Sequence, residues 1–208
     1  MNKKIAFFDI DKTIIKKDSM FLFVWFGLKK RPRTFPVLLP IFFFTILYTL
    51  RLISSKRVKE YYFYSIKFLK EEDLHEFYLM LKKHIFIEAM EELQSRKNEG
   101  CYNLLVSASP YAYVKYFKEI PYVDDVIGTE LVIKNDFYIN RINGDNCKGE
   151  EKVRKIEKHL KQLGYVIDFN NSYAYSDSLS DLPMLALVRN SFIVNGKSKE
   201  EIKVVNWK

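Results

Sequence analysis

Cysteine and histidine are scarce in this chain, with two and three among 208 residues. Cys101 and Cys147 lie far apart and match no metal-ligand spacing. Neither a disulfide framework nor a zinc site is indicated, and a reducing cytoplasm is the expected compartment. His75, His84 and His159 fall among charged residues on expected helix surfaces, with no shared spacing, and read as structural or solvated. A membrane-spanning helix needs about 20 apolar residues. The uncharged stretch Thr34–Leu50 has 17 and carries Pro36 and Pro40 early, so spanning is not expected. The amino terminus opens straight into a strand-like run, which argues against a cleaved signal peptide. Acidic residues are nearly missing from one region: between Lys16 and Lys59, Asp18 stands against ten basic residues.

Hydrophobic side chains make up 48% of the chain, enough for a core in one domain or in one domain with a sizeable insertion. Lys and Arg outnumber Asp and Glu by 34 to 26, which favours anionic partners. That excess belongs to the segment just named, and the rest of the chain is close to neutral.

The hydrophobic period divides the chain. Ile5-Ala6-Phe7-Phe8 reads as a buried strand. From Asp18 to about Glu99 the pattern is helical and aromatic, with Pro32, Pro36 and Pro40 as breakers. Strand-like runs return at Asn103–Ser107, Glu130–Ile133, Phe137–Ile142, Tyr173–Ser176 and Ser191–Val194. Helices are expected over Pro110–Glu119, Glu150–Leu163 and Leu182–Val188, and Lys134-Asn135-Asp136 reads as a hairpin turn. Strands alternating with helices imply an α/β fold with a mostly parallel, Rossmann-like sheet. The expected core is residues 1–14 plus 100–208, and residues 15–99 form a helical insertion, apolar and basic, after the first strand.

Four short segments stand at strand or helix ends. They are Asp9-Ile10-Asp11-Lys12-Thr13, Leu105-Val106-Ser107-Ala108-Ser109-Pro110, Cys147-Lys148-Gly149-Glu150-Glu151-Lys152 and Tyr175-Ser176-Asp177-Ser178-Leu179-Ser180-Asp181. Like charges crowded at the end of a buried strand repel unless a cation or a substrate compensates them. Phosphoryl transfer needs an in-line nucleophile, a cation, donors for the equatorial oxygens and a proton shuttle. Asp9 and Asp177 are suited to hold Mg²⁺, which prefers hard oxygen ligands. Ser107 and a lysine are suited to hold the phosphoryl group, and a second acid to move the proton.

These segments, in this order, resemble the motifs of the haloacid-dehalogenase-like hydrolase superfamily, and their spacing is most similar to subfamily IB, the phosphoserine-phosphatase-like group. The resemblance covers roughly residues 3–14 and 101–195. It implies that Asp9 is the nucleophile and forms an aspartyl-phosphate. Asp11 would be the general acid/base, with its backbone carbonyl on Mg²⁺, and Thr13 would support the loop. Ser107 would bind the phosphoryl group and Lys152 would neutralise it, with Lys148 the competing lysine. The run from Cys147 to Val153 resembles the subfamily's Cys-x-Gly-x-x-Lys-Val pattern and favours Lys152. Asp177 would be a metal ligand, and Asp181 would lie in the outer shell or pair with the lysine. Relatives that attack carbon–halogen bonds lack the second acid. Asp11-Lys12-Thr13 also reads like the start of the P-type ATPase phosphorylation motif, but Ile14-Ile15 replaces its Gly-Thr and the chain is too short for such a pump. Two residues depart from the family pattern: Ser176 stands where Gly is usual, and Lys12 where a small residue is common.

The insertion resembles a family cap in position and helical nature only. Three readings stand for it: a cap that buries its own aromatics, an interfacial element whose basic residues meet anionic lipid, or a dimer interface. The expected function is a cytoplasmic, Mg²⁺-dependent phosphomonoester phosphatase acting on a small phosphorylated metabolite or a lipid phosphate, with possible peripheral membrane contact through the cap. A lipid phosphatase of the phosphatidylglycerophosphate type, a phosphotransferase, and a basic nucleic-acid-binding module without catalysis are the alternatives. No nucleic-acid recognition motif is present, and the basic residues flank a run too apolar for a solvated groove.

Overall fold

Ile5–Phe8 (β1) is apolar at every position and fully buried, as a strand covered on both faces must be. In the computed structural model, which describes residues 1–197 and 202–208, seven further strands of three or more residues follow among the described residues. These are Tyr102–Pro110 (β2), Asp125–Thr129 (β3), Leu131–Lys134 (β4), Phe137–Ile142 (β5), Tyr173–Ser176 (β6), Asn190–Val194 (β7) and Lys203–Val205 (β8). Six of them form one parallel sheet in the order β8-β7-β6-β1-β2-β3. The chain runs outward from β1 through β2 and β3, then returns to the other side of β1 for β6. The carboxyl end of β1 is therefore the topological switch point, where open α/β sheets bind ligands.

Strand alternation sends Ile5 and Phe7 to one face and Ala6 and Phe8 to the other. The first face is covered by the helix Glu150–Gln162 through Ile156 and Leu160, and by the short helix Leu182–Leu185. On the other face Phe8, Tyr175 and Phe192 stack across neighbouring strands, with centroids 4.6 and 5.0 Å apart. Asn135 and Asp136 both adopt left-handed φ, 50° and 63°, which gives the expected hairpin between β4 and β5 its primed turn. The short edge strand β8 was not expected. The helix expected over residues 110–119 is one α-turn, Tyr111–Val114, followed by a 3₁₀ segment, Lys115–Glu119.

The insertion holds Ser19–Lys30 (α1), Leu38–Thr49 (α2), Ser55–Tyr62 (α3) and Glu71–Lys82 (α4). Asp18 caps α1, accepting from the amides of Met20 and Phe21. Phe23 and Phe77 pack together and on Tyr113, fastening α1 and α4 to the sheet domain. Glu71, Glu72 and Asp73 form the acidic first turn of α4, where they face the positive helix end. The prolines change the helix type rather than ending it. Pro32–Val37 is 3₁₀ and runs directly into α2, and Pro40 sits in the first turn of α2, where no intrahelical N–H bond is lost. Pro32–Thr49 is thus one continuous helical stretch, and by length and composition alone it suffices to cross a membrane. Ile87–Asn98 (α5) is bound to the sheet: the Asn103 side chain donates to the Leu93 carbonyl and Tyr175 donates to Glu92.

Candidate active site

The four segments converge on one cavity of about 460 Å³ at the carboxyl end of β1. Asp9, Asp11, Lys148, Lys152, Asp177 and Asp181 line it from the sheet domain. Asp18, Thr45, Tyr48, Lys59 and Tyr62 line it from the insertion. Thr13 and Ser107 are fully buried behind this wall.

Lys152, two residues into the helix Glu150–Gln162, projects its ammonium between two carboxylates. It donates to Asp9 Oδ1 at 2.6 Å and to Asp181 Oδ2 at 2.7 Å, and only 1% of its side chain is exposed. Burial alone lowers the pKa of Lys152, but the charges of Asp9 and Asp181 outweigh it and hold the ammonium above its ordinary value. Burial pushes Asp9 up, to about 8, against the opposing charge of Lys152. The Lys152 ammonium favours the ionised Asp9 that a nucleophile requires, and a bound cation would favour it further. Lys148 is exposed, and among the described residues no carboxylate or hydrogen-bond acceptor meets its side chain. Ser176, the departure from glycine, donates to Asp181 Oδ2 at 2.8 Å and accepts the Ser178 amide at 3.2 Å, so its hydroxyl is built into the turn.

Asp11 is held at both oxygens. Oδ1 accepts the Ser19 amide at 2.6 Å and Oδ2 accepts the Ser109 hydroxyl at 2.7 Å. The Ser19 hydroxyl lies 2.9 Å from Ser109 Oγ and 3.1 Å from the Tyr113 hydroxyl, closing a buried network around the carboxylate. Ser107 accepts the Ser109 amide at 3.0 Å, and its own proton has no acceptor among the described residues. Thr13 Oγ1 accepts the Asp177 amide at 2.9 Å and lies 3.4 Å from Asp9 Oδ2, tying the first segment to the fourth. Lys12 holds a left-handed φ of 58°, a region that favours glycine.

The Asp177 carboxylate has no hydrogen bond or ion pair among the described residues. Burial pushes its pKa up, to about 6, with Asp181 and Asp11 adding to the shift and Lys12 opposing it. An uncompensated carboxylate beside Asp9 and Asp11 is a hard-oxygen donor set that fits a divalent ion such as Mg²⁺. No group of three or more His, Cys, Asp or Glu side chains among the described residues forms a metal cluster by itself.

Sequence reasoning missed Ser19, Asp18, Tyr113 and Lys59. Asp18-Ser19 before an apolar run is a helix-cap signal that was available locally. Lys59 carried none. It reaches the cavity from α3, donating to the Ala108 carbonyl at 2.9 Å and to Asn146 Oδ1 at 3.0 Å, and burial pushes its ammonium down to about 8.

A family model described as haloacid dehalogenase-like hydrolase matches residues 6–186. A Mycobacterium tuberculosis protein named "Probable phosphatase" is 27% identical over 97% of this chain and 73% of its own length. A protein of unknown function from Bordetella pertussis Tohama I superposes with a TM-score of 0.79 at 19% identity, covering 99% of both chains. A substrate-bound phosphoserine phosphatase superposes with a TM-score of 0.70 at 18% identity, over 98% of this chain and 93% of that one. With the parallel sheet, the carboxylate-lined cavity at its switch point and a family match spanning most of its length, this chain belongs to the haloacid dehalogenase-like hydrolases.

Proposed function

We propose that the protein is a Mg²⁺-dependent phosphomonoester phosphatase that works through an aspartyl-phosphate on Asp9. The observation that carries this reading is the buried Lys152 bridge between Asp9 and Asp181, set beside an Asp11 held at both oxygens. A carboxylate oxygen of Asp9 attacks phosphorus, and the bond from phosphorus to the leaving oxygen breaks. Each Asp11 oxygen keeps a second lone pair, so Asp11 can carry a proton and deliver it to that leaving oxygen. Water then attacks the phosphorus of the aspartyl-phosphate, Asp11 takes its proton, and inorganic phosphate leaves with Asp9 restored. Lys152 and the free Ser107 proton serve the phosphoryl oxygens. Mg²⁺ held by Asp9, Asp177 and the Asp11 carbonyl would neutralise phosphoryl charge.

The division into a catalytic core and a cap belongs to the same reading. The bonds from α5 to the sheet support drawing the cap's carboxyl boundary near Phe86 instead of residue 99. The substrate is a small phosphorylated metabolite or a lipid phosphate. Transfer to an acceptor other than water would share the first half of the reaction, and product analysis separates the two. Turnover of p-nitrophenyl phosphate should require Mg²⁺ and fall by about 10³-fold or more in Asp9→Asn. Undiminished activity in that variant, or a trapped phosphoryl group on another residue, overturns the assignment.

A further inference from the structure

Helix α2 carries no charged residue, is apolar nearly all round, and leaves most of that apolar surface exposed. Its residues Leu39, Phe42, Phe43 and Ile46, continued by Leu50, recur at helical spacing on one stripe, and all five are exposed, Leu39 at 76% and Phe42 at 69%. A surface helix ordinarily turns charged or polar side chains outward. Here Ile41 is the one buried residue of the helix, and Thr45 and Tyr48, on the side opposite the stripe, line the catalytic cavity. Trp25, Phe35 and Leu52 extend the exposed apolar surface on neighbouring segments.

Cations stand at both ends of this stripe without partners. Arg33 precedes α2, Arg51 follows it, and Arg57 lies on α3, which packs against it. Among the described residues none of these three has a carboxylate within 4 Å. Arg57 rests over the Phe44 ring. An apolar stripe bordered by unpaired cations is complementary to an anionic lipid surface, where acyl chains meet negative headgroups. A second copy of the chain fits less well, because a two-fold interface would set the same cations against one another. The helix is also tied to the body of the protein: Thr45 lies 3.0 Å from the Tyr62 hydroxyl and Ile41 is packed in the core. That favours lying on a bilayer over crossing it.

We infer that α2 docks the protein on anionic bilayers, and that the catalytic cavity, whose wall is the inner side of the same helix, takes phosphomonoesters borne on apolar chains from that interface. The choice of substrate rests on the phosphatase reading above, whereas the docking does not.

The test uses the full chain with two kinds of vesicle, phosphatidylcholine alone and phosphatidylcholine mixed with phosphatidylglycerol. Co-sedimentation should be at least about tenfold stronger on the mixed vesicles and fall in high salt. Leu39→Glu/Phe42→Glu should abolish it while leaving p-nitrophenyl phosphate turnover unchanged, since both side chains lie outside the cavity. Phosphatidic acid in mixed vesicles should be hydrolysed about tenfold faster than dissolved glycerol 3-phosphate, an advantage that the double variant loses. Equal binding to both vesicles, or to neither, overturns the docking. So does a dimer in analytical ultracentrifugation that the double variant dissociates without any change in vesicle binding. Salt-resistant binding released only by detergent overturns it in favour of insertion. Loss of p-nitrophenyl phosphate turnover in the unaltered protein would overturn the phosphatase reading and leave the sedimentation result standing.

Discussion

The sheet domain and the stretch of the insertion around α2 differ in how their charged and apolar groups are met. Around the sheet, Lys97 and Lys118 each meet a carboxylate, and Arg96 and Lys152 each meet two. In the insertion, Lys30 and Arg31 pair with Asp73, and Lys30 with Glu76, whereas Lys29, Arg33, Arg51 and Arg57 meet no carboxylate among the described residues. Apolar surface divides the same way: Ile5, Phe7 and Phe8 are fully buried, while α2 leaves its apolar stripe in the open. In the first region folding covers the apolar strands and pairs the buried Lys152 from within, while the Asp177 carboxylate keeps no partner among the described residues. The second is unfinished by the chain's own groups, which is the expected state of a surface whose partner is another molecule.

Four variants bear on this contrast. The largest effect should come from Lys152→Ala, which strands Asp9 and Asp181 together in a buried site. Breaking one side of a buried ion pair costs about 3–5 kcal/mol, and denaturant titration should read that loss together with loss of turnover. Wild-type stability in that variant would mean that the pairing is idle.

Asp177→Asn tests the one cavity carboxylate that the sheet domain leaves uncompensated. A folded-state pKa near 6, above the ordinary 3.8, means that the native state holds the proton more tightly than the unfolded one. The stability this contributes is fully present below about pH 4 and is lost as pH rises through 6. At pH 8 without metal the variant should therefore be more stable than wild type by about 1–2 kcal/mol, after discounting for solvent exposure. Mg²⁺ should raise the melting temperature of wild type and leave the variant unmoved. Equal Mg²⁺ responses in the two proteins would refute the ligand assignment.

The smallest effect places one substitution in each region. Lys12 and Arg51 hold left-handed φ values of 58° and 60°. Lys12→Gly and Arg51→Gly should each stabilise by about 0.5–1 kcal/mol, or about 1–4 °C in melting temperature. A gain at Arg51 but not at Lys12 would show that the Lys12 charge offsets its backbone strain through the neighbouring carboxylates.

What was legible in the sequence follows the range of the interaction. The buried β1 announces itself as four apolar residues ended by two acids, and Asn135-Asp136 specifies its turn locally. The four motif segments were legible because each sits where a strand or helix begins or ends. The bonds from Ser19 and Ser109 to Asp11 were not, since they join residues far apart in sequence and leave no periodic trace. Strand β8 is three residues long and gains its identity from pairing with Phe192–Val194. The continuity of Pro32–Thr49 was hidden for a different reason: Pro40 falls within a first turn, the one place where proline does not break a helix.

The hydrogen bond from the Ser19 amide to Asp11 joins the insertion to the carboxylate proposed to carry the proton. A hinge that swung the cap away to admit a bulky ester would have to drag that carboxylate with it or let it go. If Asp11 carries the proton as proposed, any such separation would cost it the Ser19 bond at one oxygen.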